Sequence, residues 1–428
     1  MHTTNVASAT TLVVLDPGLS NSSGHHFSTA ELLLKTLAKN KHPIDVKIMG
    51  GSGNWKHKLQ NIYSHTALNE HFQSNFYQYH NGMVSLTELT PYLTALSSEY
   101  KAAMTHQLIS GAHSTVFFCH TLDWDHFLAL SIAIHQLQQA TPGLVINCLA
   151  CLMFSPGRDS QHKITDNKKY ILAKIALRTS AHLTGLSIFA SHYELKQAID
   201  NLQLPQPKEI TIHPCFITEW YKTTTQTAPA DTDTDTSDLN VLLYAGDAKE
   251  TKGFHLLPAL LKTHLSGLRQ NVRLIIQFTC AQKISPRLQN AMQELNTMAV
   301  TEKRIVIYNQ YFSDQQLAEL LNHSDIFLFN YSPHHYANMS SGFLWHLAWH
   351  KVPMFTFDNS WITREAQRLA VESHIIKQQN FCAFINALTP KISLQHNKKL
   401  PANEYQTYYD ALFSPPLDWL YRECKKAQ

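Results

Sequence analysis

Short apolar segments alternate with helical segments along nearly the whole chain. Residues 12–15 and 115–119 are apolar runs of strand length, and residues 27–38 carry leucines at helical spacing. Strands that alternate with helices form parallel sheets with helices packed on both faces. The alternation therefore predicts an α/β fold.

One segment near the middle of the chain lacks this alternation. Residues 223–238 are rich in Thr, Asp and Ala without apolar periodicity, which is typical of a linker or a long exposed loop. A chain of 428 residues is also too long for one ordinary core and suits two domains. We predict an N-terminal domain over residues 1–222, this low-complexity linker, and a C-terminal domain over residues 239–400. The aromatic-rich residues 401–428 are predicted to form a helical tail.

Both predicted domains have the same strand–helix order, so each is expected to be Rossmann-like, with a doubly wound parallel sheet. In the second domain the strands are predicted at residues 240–245, 273–278, 304–308, 325–329 and 352–357. Open parallel sheets bind their ligands beyond the carboxyl ends of the strands. The loops that follow these strands are therefore the expected places for functional side chains.

Charge and hydropathy limit the function classes. The formal net charge of +3 does not favour a nucleic-acid-binding protein, but it leaves open a basic patch for peripheral contact with a membrane. No apolar run approaches the roughly 20 residues that span a bilayer. The first apolar run has strand length, unlike that of a signal peptide. We expect a cytoplasmic protein.

The cysteines agree with a reducing compartment. There are seven, an odd number, and they are scattered along the chain, which indicates free thiols. Cys148 and Cys151 have the spacing of a zinc ligand pair, but their neighbours are apolar and no second pair completes the site. We interpret these two cysteines as residues of a buried strand.

The first candidate motif follows the first strand of the second domain. It reads Tyr-Ala-Gly-Asp-Ala-Lys-Glu-Thr-Lys-Gly over residues 244–253 and precedes a helical segment. Gly246 lets the backbone turn tightly at the strand end. Lys252 places a positive point charge at the end of the loop, where it can neutralise a diphosphate. An ordinary strand–turn–helix connection with a solvated lysine is the alternative interpretation.

The second candidate motif follows the apolar run at residues 325–329. Ser340, Ser341 and Gly342 open a predicted helix, and Pro353 lies just inside the next strand. Small residues at a helix start leave backbone N–H groups free, and the helix dipole favours an anion there. These residues are therefore candidate ligands of a pyrophosphate, with a plain helix start as the alternative.

Together the two motifs resemble those of the retaining GT-B glycosyltransferases of group 1, the family 4-like enzymes. The usual forms in that family are G-R-x-x-x-x-K-G-x-x-x-L and E-x-F/S-G-[apolar]-x-x-E-A-x-A-x-G-x-P-V. Gly246, the Lys252-Gly253 pair and the Ser341-Gly342 pair are in matching register. The resemblance implies the GT-B fold, in which two Rossmann-like domains face each other across a cleft. It also implies that the C-terminal tail crosses back to the first domain.

Three positions depart from the family pattern. Asp247 stands where the family has arginine, and Lys249 is a candidate to supply the missing positive charge. Asn338 and His346 stand where the family has two glutamates, the later of which typically binds the nucleotide ribose. A histidine can still hydrogen-bond a ribose hydroxyl, so His346 remains a candidate donor-binding residue. The departures leave a non-catalytic GT-B-like binding protein as an alternative.

The first domain supplies four further candidates. A small-residue loop after the first strand contains Gly24, His25 and His26, and in GT-B enzymes this loop faces the donor. Gly24 permits close approach of the backbone, and His25 and His26 are candidate contacts for phosphate or acceptor. His120 follows the strand at residues 115–119, and related enzymes often carry a histidine in a similar place near the transferred sugar. Surface or strand-capping histidines are the alternative interpretation.

The resemblance implies sugar transfer from a nucleoside diphosphate sugar to a hydroxyl of a glycan, lipid or protein acceptor, with retention of configuration. Lys252 would stabilise the departing diphosphate together with the amides of residues 340–342, and His120 would be a second catalytic residue. We expect no cofactor and no metal, because the lysine and the helix amides stabilise the same charge. The Asp-x-Asp pattern at residues 231–235 lies in the low-complexity linker and is discounted. The pattern at residues 123–125 follows a strand, as the metal-binding motif of GT-A transferases does, but a GT-A fold would explain only that fragment, whereas GT-B explains the layout in two halves. A nucleotide-sugar epimerase on the same fold is a further alternative.

Overall fold

The structure is a computed structural model that describes residues 10–22, 24–39, 44–63, 66–80, 82–85, 87–110, 114–159, 163–202, 204, 208–216, 238–280, 284–390 and 403–426. The chain divides into two compact units. One comprises Met1–Thr218 and Asp410–Gln428, and the other comprises Glu219–Tyr409. The sequence placed the start of the tail at residue 401, whereas the second division falls between residues 409 and 410. Apart from Asp238, the linker predicted at residues 223–238 lies outside the described residues.

A parallel sheet of seven strands forms the centre of the first unit. Its strands are β1 Thr10–Asp16, β2 Ile44–Gly51, β3 Ala67–Phe72, β4 Thr115–Leu122, β5 Asn147–Leu152, β6 Leu186–Ala190 and β7 Ile210–Ile212. The helices between them are α1 Gly24–Lys39, α2 Trp55–Ile62, α3 Leu89–Ser110, α4 Trp124–Ala140, α5 Asn167–Ser180 and α6 Tyr193–Asp200. The strand order β3-β2-β1-β4-β5-β6-β7 changes direction between β1 and β4.

The second unit repeats this plan with six parallel strands. They are β8 Leu239–Tyr244, β9 Val272–Phe278, β10 Ile305–Asn309, β11 Ile326–Phe329, β12 Met354–Thr356 and β13 Ser373–Ile375. Its helices are α7 Leu257–His264, α8 Pro286–Thr301, α9 Asp314–Asn322, α10 Gly342–His350, α11 Trp361–Arg368 and α12 Phe381–Ala387. The order β10-β9-β8-β11-β12-β13 changes direction between β8 and β11. Two doubly wound, Rossmann-like sheets confirm the fold class predicted from the sequence.

Both faces of the first sheet are covered, because successive side chains of a strand point to opposite faces. Val13 and Leu15 of β1 belong to a core cluster that includes residues of α3, α4 and α5. Leu12 and Val14, on the other face, belong to a cluster with residues of α1. Cys148 and Cys151 are buried, free cysteines of β5, as the sequence predicted.

The tail forms two helices, α13 Asn403–Leu412 and α14 Pro416–Lys426, with the Pro415-Pro416 pair at the start of the second. Cys215 donates its backbone N–H to the Leu412 carbonyl over 2.8 Å. Trp419 packs its ring against Phe118 of β4 and Phe189 of β6, with ring centroids 6.1 and 4.9 Å apart. Helix α14 is therefore part of the core of the first unit. Nowhere in the described parts of the chain is a helix both long enough and apolar enough to cross a membrane.

Candidate functional site

In each unit, the strand order changes direction between two neighbouring strands whose following loops leave the same edge of the sheet. In the second unit these strands are β8 and β11, which pair in parallel through Val241 and Ile326. Gly246 follows β8, and Tyr331 follows β11. Such a point opens a crevice in which doubly wound folds bind ligands. The loops that carry the two sequence-predicted motifs therefore begin at the edge of the sheet where a ligand is expected to bind.

Gly246 and Lys252 meet in the loop after β8. Gly246 has a φ of +105°, a left-handed conformation that favours glycine, and its N–H donates to the Gln277 side chain over 2.8 Å. Lys252 ends a short 3₁₀ turn, Glu250–Lys252. Its ammonium lies only 3.6 Å from the position that a Cβ on residue 246 would occupy. The structure thus brings together the glycine and the lysine of the first motif.

Gly253 joins this loop to the one that follows β11. Its φ is +72°, and a Cβ there would lie 1.8 Å from the backbone oxygen of Asn330. The Ser332 N–H donates to the Thr251 carbonyl over 2.9 Å at the same junction. Only glycine permits this approach, so the position of Lys252 depends on direct backbone contact between the two loops.

The Lys252 ammonium has no counter-ion in the described part of the chain. It lies 5.8 Å from the centre of the Tyr331 ring and forms no ion pair or hydrogen bond with the described residues. Burial lowers the pKa of Lys252, and the charge of Asp247 raises it by a smaller amount. A half-buried cation without a partner is unfavourable by itself and is suited to binding an anion.

Tyr331 connects Lys252 to the start of α10. Both Tyr331 and Ser341 are buried, and Ser341 is the residue that precedes the helix. Burial raises the pKa of the Tyr331 phenol, and the neighbouring Ser341 hydroxyl lowers it by a smaller amount. Ser341 makes no side-chain capping bond to α10, while Gly342 is exposed, and a Cβ there would meet the Trp345 ring at 4.0 Å. Half-buried Ser340 precedes them, so the second motif lies next to the first through Tyr331.

Asp247 and Lys249 largely satisfy each other. The Asp247 carboxylate accepts a hydrogen bond from Thr279 over 2.7 Å and lies 3.7 Å from the Lys249 ammonium. Both side chains are more than half exposed, at 64% and 56%. Lys249 therefore offers a solvated, shared charge and is a weaker replacement for the family's arginine than a free lysine would be.

His346 lies on the second turn of α10, next to Phe343 with ring centroids 5.9 Å apart. Burial lowers its pKa to about 3, and the neighbouring His350 contributes in the same direction. The imidazole is therefore neutral at physiological pH. A neutral ring can exchange a hydrogen bond with a ribose hydroxyl but brings no charge, unlike the glutamate of the family pattern.

In the first unit, the equivalent change of direction brings Asp16 and His120 together. Val14 of β1 pairs with Phe118 of β4, so Asp16 and His120 both follow two residues later on the same face. His120 Nε2 lies 2.7 Å from Asp16 Oδ2, and its Nδ1 lies 2.8 Å from the Thr121 hydroxyl. The sequence placed His120 just beyond the strand; instead β4 continues to Leu122, because its last residues are buried and remain paired with β5.

The second histidine of this cluster is His26 rather than its neighbour His25. His26 Nδ1 lies 2.7 Å from Asp16 Oδ1, and both side chains are buried, whereas His25 is exposed. A Cβ on Gly18 would lie 2.1 Å from the His26 ring, so only glycine leaves room for it. Gly24, the first residue of α1, has a φ of +83° and open space around it. Sequence reasoning named His26 beside His25 as a candidate contact for phosphate or acceptor but missed Asp16, although an aspartate ending an apolar strand was a visible signal.

Asp16 is the electrostatic centre of this cluster. Burial alone would raise the pKa of its carboxyl, but His26 and His120 together hold that pKa well below the ordinary value. The Gly18 N–H also donates to Asp16 Oδ1 over 3.0 Å. The ligand atoms that Asp16, His26 and His120 offer all lie within 4.8 Å of one another, so these residues could hold a metal ion.

The aspartates of the Asp-x-Asp pattern at residues 123–125 have structural partners. Asp123 precedes α4 and accepts hydrogen bonds from the Trp124 N–H and the Lys169 ammonium, over 2.8 and 2.9 Å. Asp125 accepts one from the Tyr92 hydroxyl over 2.7 Å. These contacts order the start of the helix.

A cavity of about 620 Å³ lies by the outer strand β13 and is lined by none of the predicted site residues.

No protein-family model and no curated protein matches the sequence. Solved structures match it over nearly its full length. The N-terminal domain of trehalose-6-phosphate phosphatase from Candida albicans gives a TM-score of 0.56 at 10% identity, covering 98% of this chain and 97% of that one. Anabaena HepE, in complex with UDP and glucose, gives 0.55 at 11% identity, covering 97% and 98%. UDP-GlcNAc 2-epimerase from Methanocaldococcus jannaschii gives 0.53 at 10% identity, covering 97% and 99%.

Likeness at 10–11% identity shows the fold alone. The chain has the GT-B fold, with two Rossmann-like units, and this confirms the fold that the two motifs implied.

Proposed function

We propose that this chain is a glycosyltransferase that moves a sugar from a nucleoside diphosphate sugar to an acceptor hydroxyl. One observation carries the proposal: the half-buried Lys252 ammonium lies at the binding edge of the second sheet without a counter-ion in the described chain. The leaving group of such a transfer is a nucleoside diphosphate, which gains negative charge as the glycosidic bond breaks. A fixed cation at that place stabilises the transition state.

The donor site is proposed to continue along Tyr331 to the start of α10. The uncapped N–H groups at Ser341 and Gly342 would bind the pyrophosphate, because the helix dipole favours an anion there. His346 would contact the ribose as a neutral hydrogen-bonding group. Three elements of the proposal rest on the family resemblance: retention of configuration, the absence of a metal at the diphosphate, and donor contacts by Gly24 and His25. The departing phosphate oxygen would accept the acceptor's proton.

His120 enters the proposal in a changed role. Both of its ring nitrogens are engaged, one by Asp16 and one by Thr121, and the side chain is buried. It is therefore better placed to orient the Asp16 carboxylate than to touch a sugar. We treat His120 as a positioning residue.

Binding of nucleotide sugars to the purified chain tests the proposal. A ligand that binds the folded state raises its melting temperature, so UDP-, GDP- and ADP-sugars are compared at equal concentration. For whichever donor binds, Lys252→Met should weaken affinity about 10- to 100-fold, because it removes a charge-assisted contact and keeps the apolar stem. Lys262→Met, at an exposed lysine paired with Glu294, is the matched control and should change nothing. Equal affinity of the wild type and Lys252→Met would contradict the proposal.

An epimerase is the second candidate, because UDP-GlcNAc 2-epimerases share the fold over 88% and 97% of this chain. Incubation of a labelled nucleotide sugar without acceptor separates the two reactions. A new nucleotide-sugar epimer identifies an epimerase, whereas slow release of free sugar and nucleoside diphosphate identifies a transferase. Binding without either product identifies the non-catalytic protein suggested by Asp247, Asn338 and His346.

A further inference from the structure

In the first unit, three buried side chains bring atoms that can bind a metal close together. Asp16 ends β1, His120 lies near the end of β4, and His26 lies in the first turn of α1. They are 2%, 3% and 5% exposed. Asp16 Oδ1 lies 2.7 Å from His26 Nδ1, and Asp16 Oδ2 lies 2.7 Å from His120 Nε2. The ligand atoms of the three residues all lie within 4.8 Å of one another.

The outer nitrogen of each histidine is held by a hydroxyl. His26 Nε2 lies 3.2 Å from the Tyr77 hydroxyl, and His120 Nδ1 lies 2.8 Å from the Thr121 hydroxyl. Both hydroxyls can accept a proton from the ring. When the inner nitrogens bind an ion, the outer nitrogens can carry the ring protons and donate them to these hydroxyls, as is usual for histidines that bind metals.

His26 Nδ1 is left without a hydrogen bond although it is buried. It lies 2.7 Å from Asp16 Oδ1, but the geometry is not that of a hydrogen bond, and no other partner satisfies it in the described chain. A buried polar atom without a partner is costly and calls for an explanation. A cation shared by the carboxylate and both inner nitrogens would satisfy it.

We propose that Asp16, His26 and His120 bind a divalent transition-metal ion of the zinc type. Two neutral imidazoles and one carboxylate form a ligand set that such ions favour, with bond lengths of about 2.0–2.2 Å. Nitrogen and oxygen atoms around one such ion lie roughly 3 Å apart. The two separations between the Asp16 carboxylate and the imidazoles, each 2.7 Å, are close to that value, and all the ligand atoms lie within 4.8 Å of one another. Three protein ligands leave a coordination position open for water or another oxygen ligand.

The three proposed ligands belong to the first unit, whereas the diphosphate is assigned to Lys252 and α10 of the second unit. Metal binding can therefore be measured in the absence of any nucleotide sugar.

Metal binding by the full chain after treatment with EDTA tests the proposal. Titration with Zn²⁺ should show one tight equivalent, and Co²⁺ should give visible absorption bands of a nitrogen- and oxygen-coordinated ion. The chain has 26 histidines, so weak surface binding is expected and a matched pair of variants is needed. His26→Ala should lose the tight equivalent and the Co²⁺ bands, while His25→Ala, which changes the exposed neighbour, should keep both.

A second variant covers the case in which His26→Ala does not fold. Tyr77→Phe removes only the hydroxyl that orients the His26 ring, and it should weaken Zn²⁺ binding about 10- to 100-fold. Circular dichroism and thermal melting establish that each variant is folded. The proposal is overturned if the wild type takes up no tight equivalent, or if folded His26→Ala and His25→Ala bind Zn²⁺ equally. Loss of nucleotide-sugar binding on Lys252→Met would leave this result unaffected.

Discussion

Gly253 shows how one residue fixes the candidate donor site. Gly253 and Gly82 have nearly the same φ, +72° and +71°, but a Cβ on Gly253 would lie 1.8 Å from the Asn330 oxygen, whereas nothing lies within 4 Å of one on Gly82. The pair therefore separates the cost of a left-handed backbone from the cost of a clash between loops.

We expect Gly82→Ala to lower the free energy of unfolding by about 1–2 kcal/mol, which is the cost of left-handed backbone for alanine. Gly253→Ala should cost at least about 3 kcal/mol, because the overlap with Asn330 adds to the same strain. It should also weaken nucleotide-sugar binding by moving Lys252. Denaturant unfolding and donor titration measure both effects. Equal losses of stability in the two variants would show that the loops separate without cost.

His213 permits a prediction on pH. Burial lowers its pKa to about 4, and a hydrogen bond to the Pro214 carbonyl opposes this only in part. In the unfolded chain the pKa returns to about 6.5, so the unfolded state binds the extra proton between pH 6.5 and about 4. The stabilisation is therefore complete above pH 6.5 and is lost as the pH falls toward 4.

His213→Gln should remove this contribution. Over that window the wild type should lose up to about 1.4 kcal/mol of stability per pH unit more than the variant. Urea unfolding at a series of pH values from 7.5 to 4.5 measures the two slopes. His374→Gln, at a half-exposed histidine, is the control and should keep the steep slope. Parallel curves for the wild type and His213→Gln would refute the assignment.

At the scale of elements, strands were easier to predict than helices. The strands predicted at residues 273–278 and 325–329 became β9 and β11, each with a start that differs by one residue, since a short apolar run between polar residues favours a buried strand. Helices α3 and α8 were not predicted, although they have 22 and 16 residues. Their apolar residues are mixed with polar ones, and only packing against the sheets shows which face is buried.

The tail helix α14 gives a prediction at this scale. Trp419 is 5% exposed and packs against aromatic rings of β4 and β6. Trp419→Ala should lower the free energy of unfolding of the first unit by about 3–5 kcal/mol, as expected for an aromatic residue removed from a core. Lys425→Ala, on the exposed side of the same helix, should cost less than about 0.5 kcal/mol. Similar stability of both variants would mean that α14 is only loosely attached.

At the scale of the whole molecule, the sequence by itself determined the two Rossmann-like sheets and the order of the donor motifs. Alternation of strands and helices is a local pattern, and Gly246, Lys252, Ser341 and Gly342 are marked by local turn and helix-start chemistry. Such features depend on residues that are near one another in the chain, so the printed sequence is enough to find them.

Only the tertiary structure decided which of the candidates meet. Asp16 and His120 are 104 residues apart and become neighbours because β1 pairs with β4 in one register. The choice of His26 over His25 depends on the direction in which α1 packs, since adjacent residues of a helix point to different faces. Likewise the position of Lys252 follows from the contact of two loops that come after strands distant in sequence. Strand register and helix packing depend on contacts between residues that are distant in the chain. Local patterns in one sequence do not reveal which distant residues will meet.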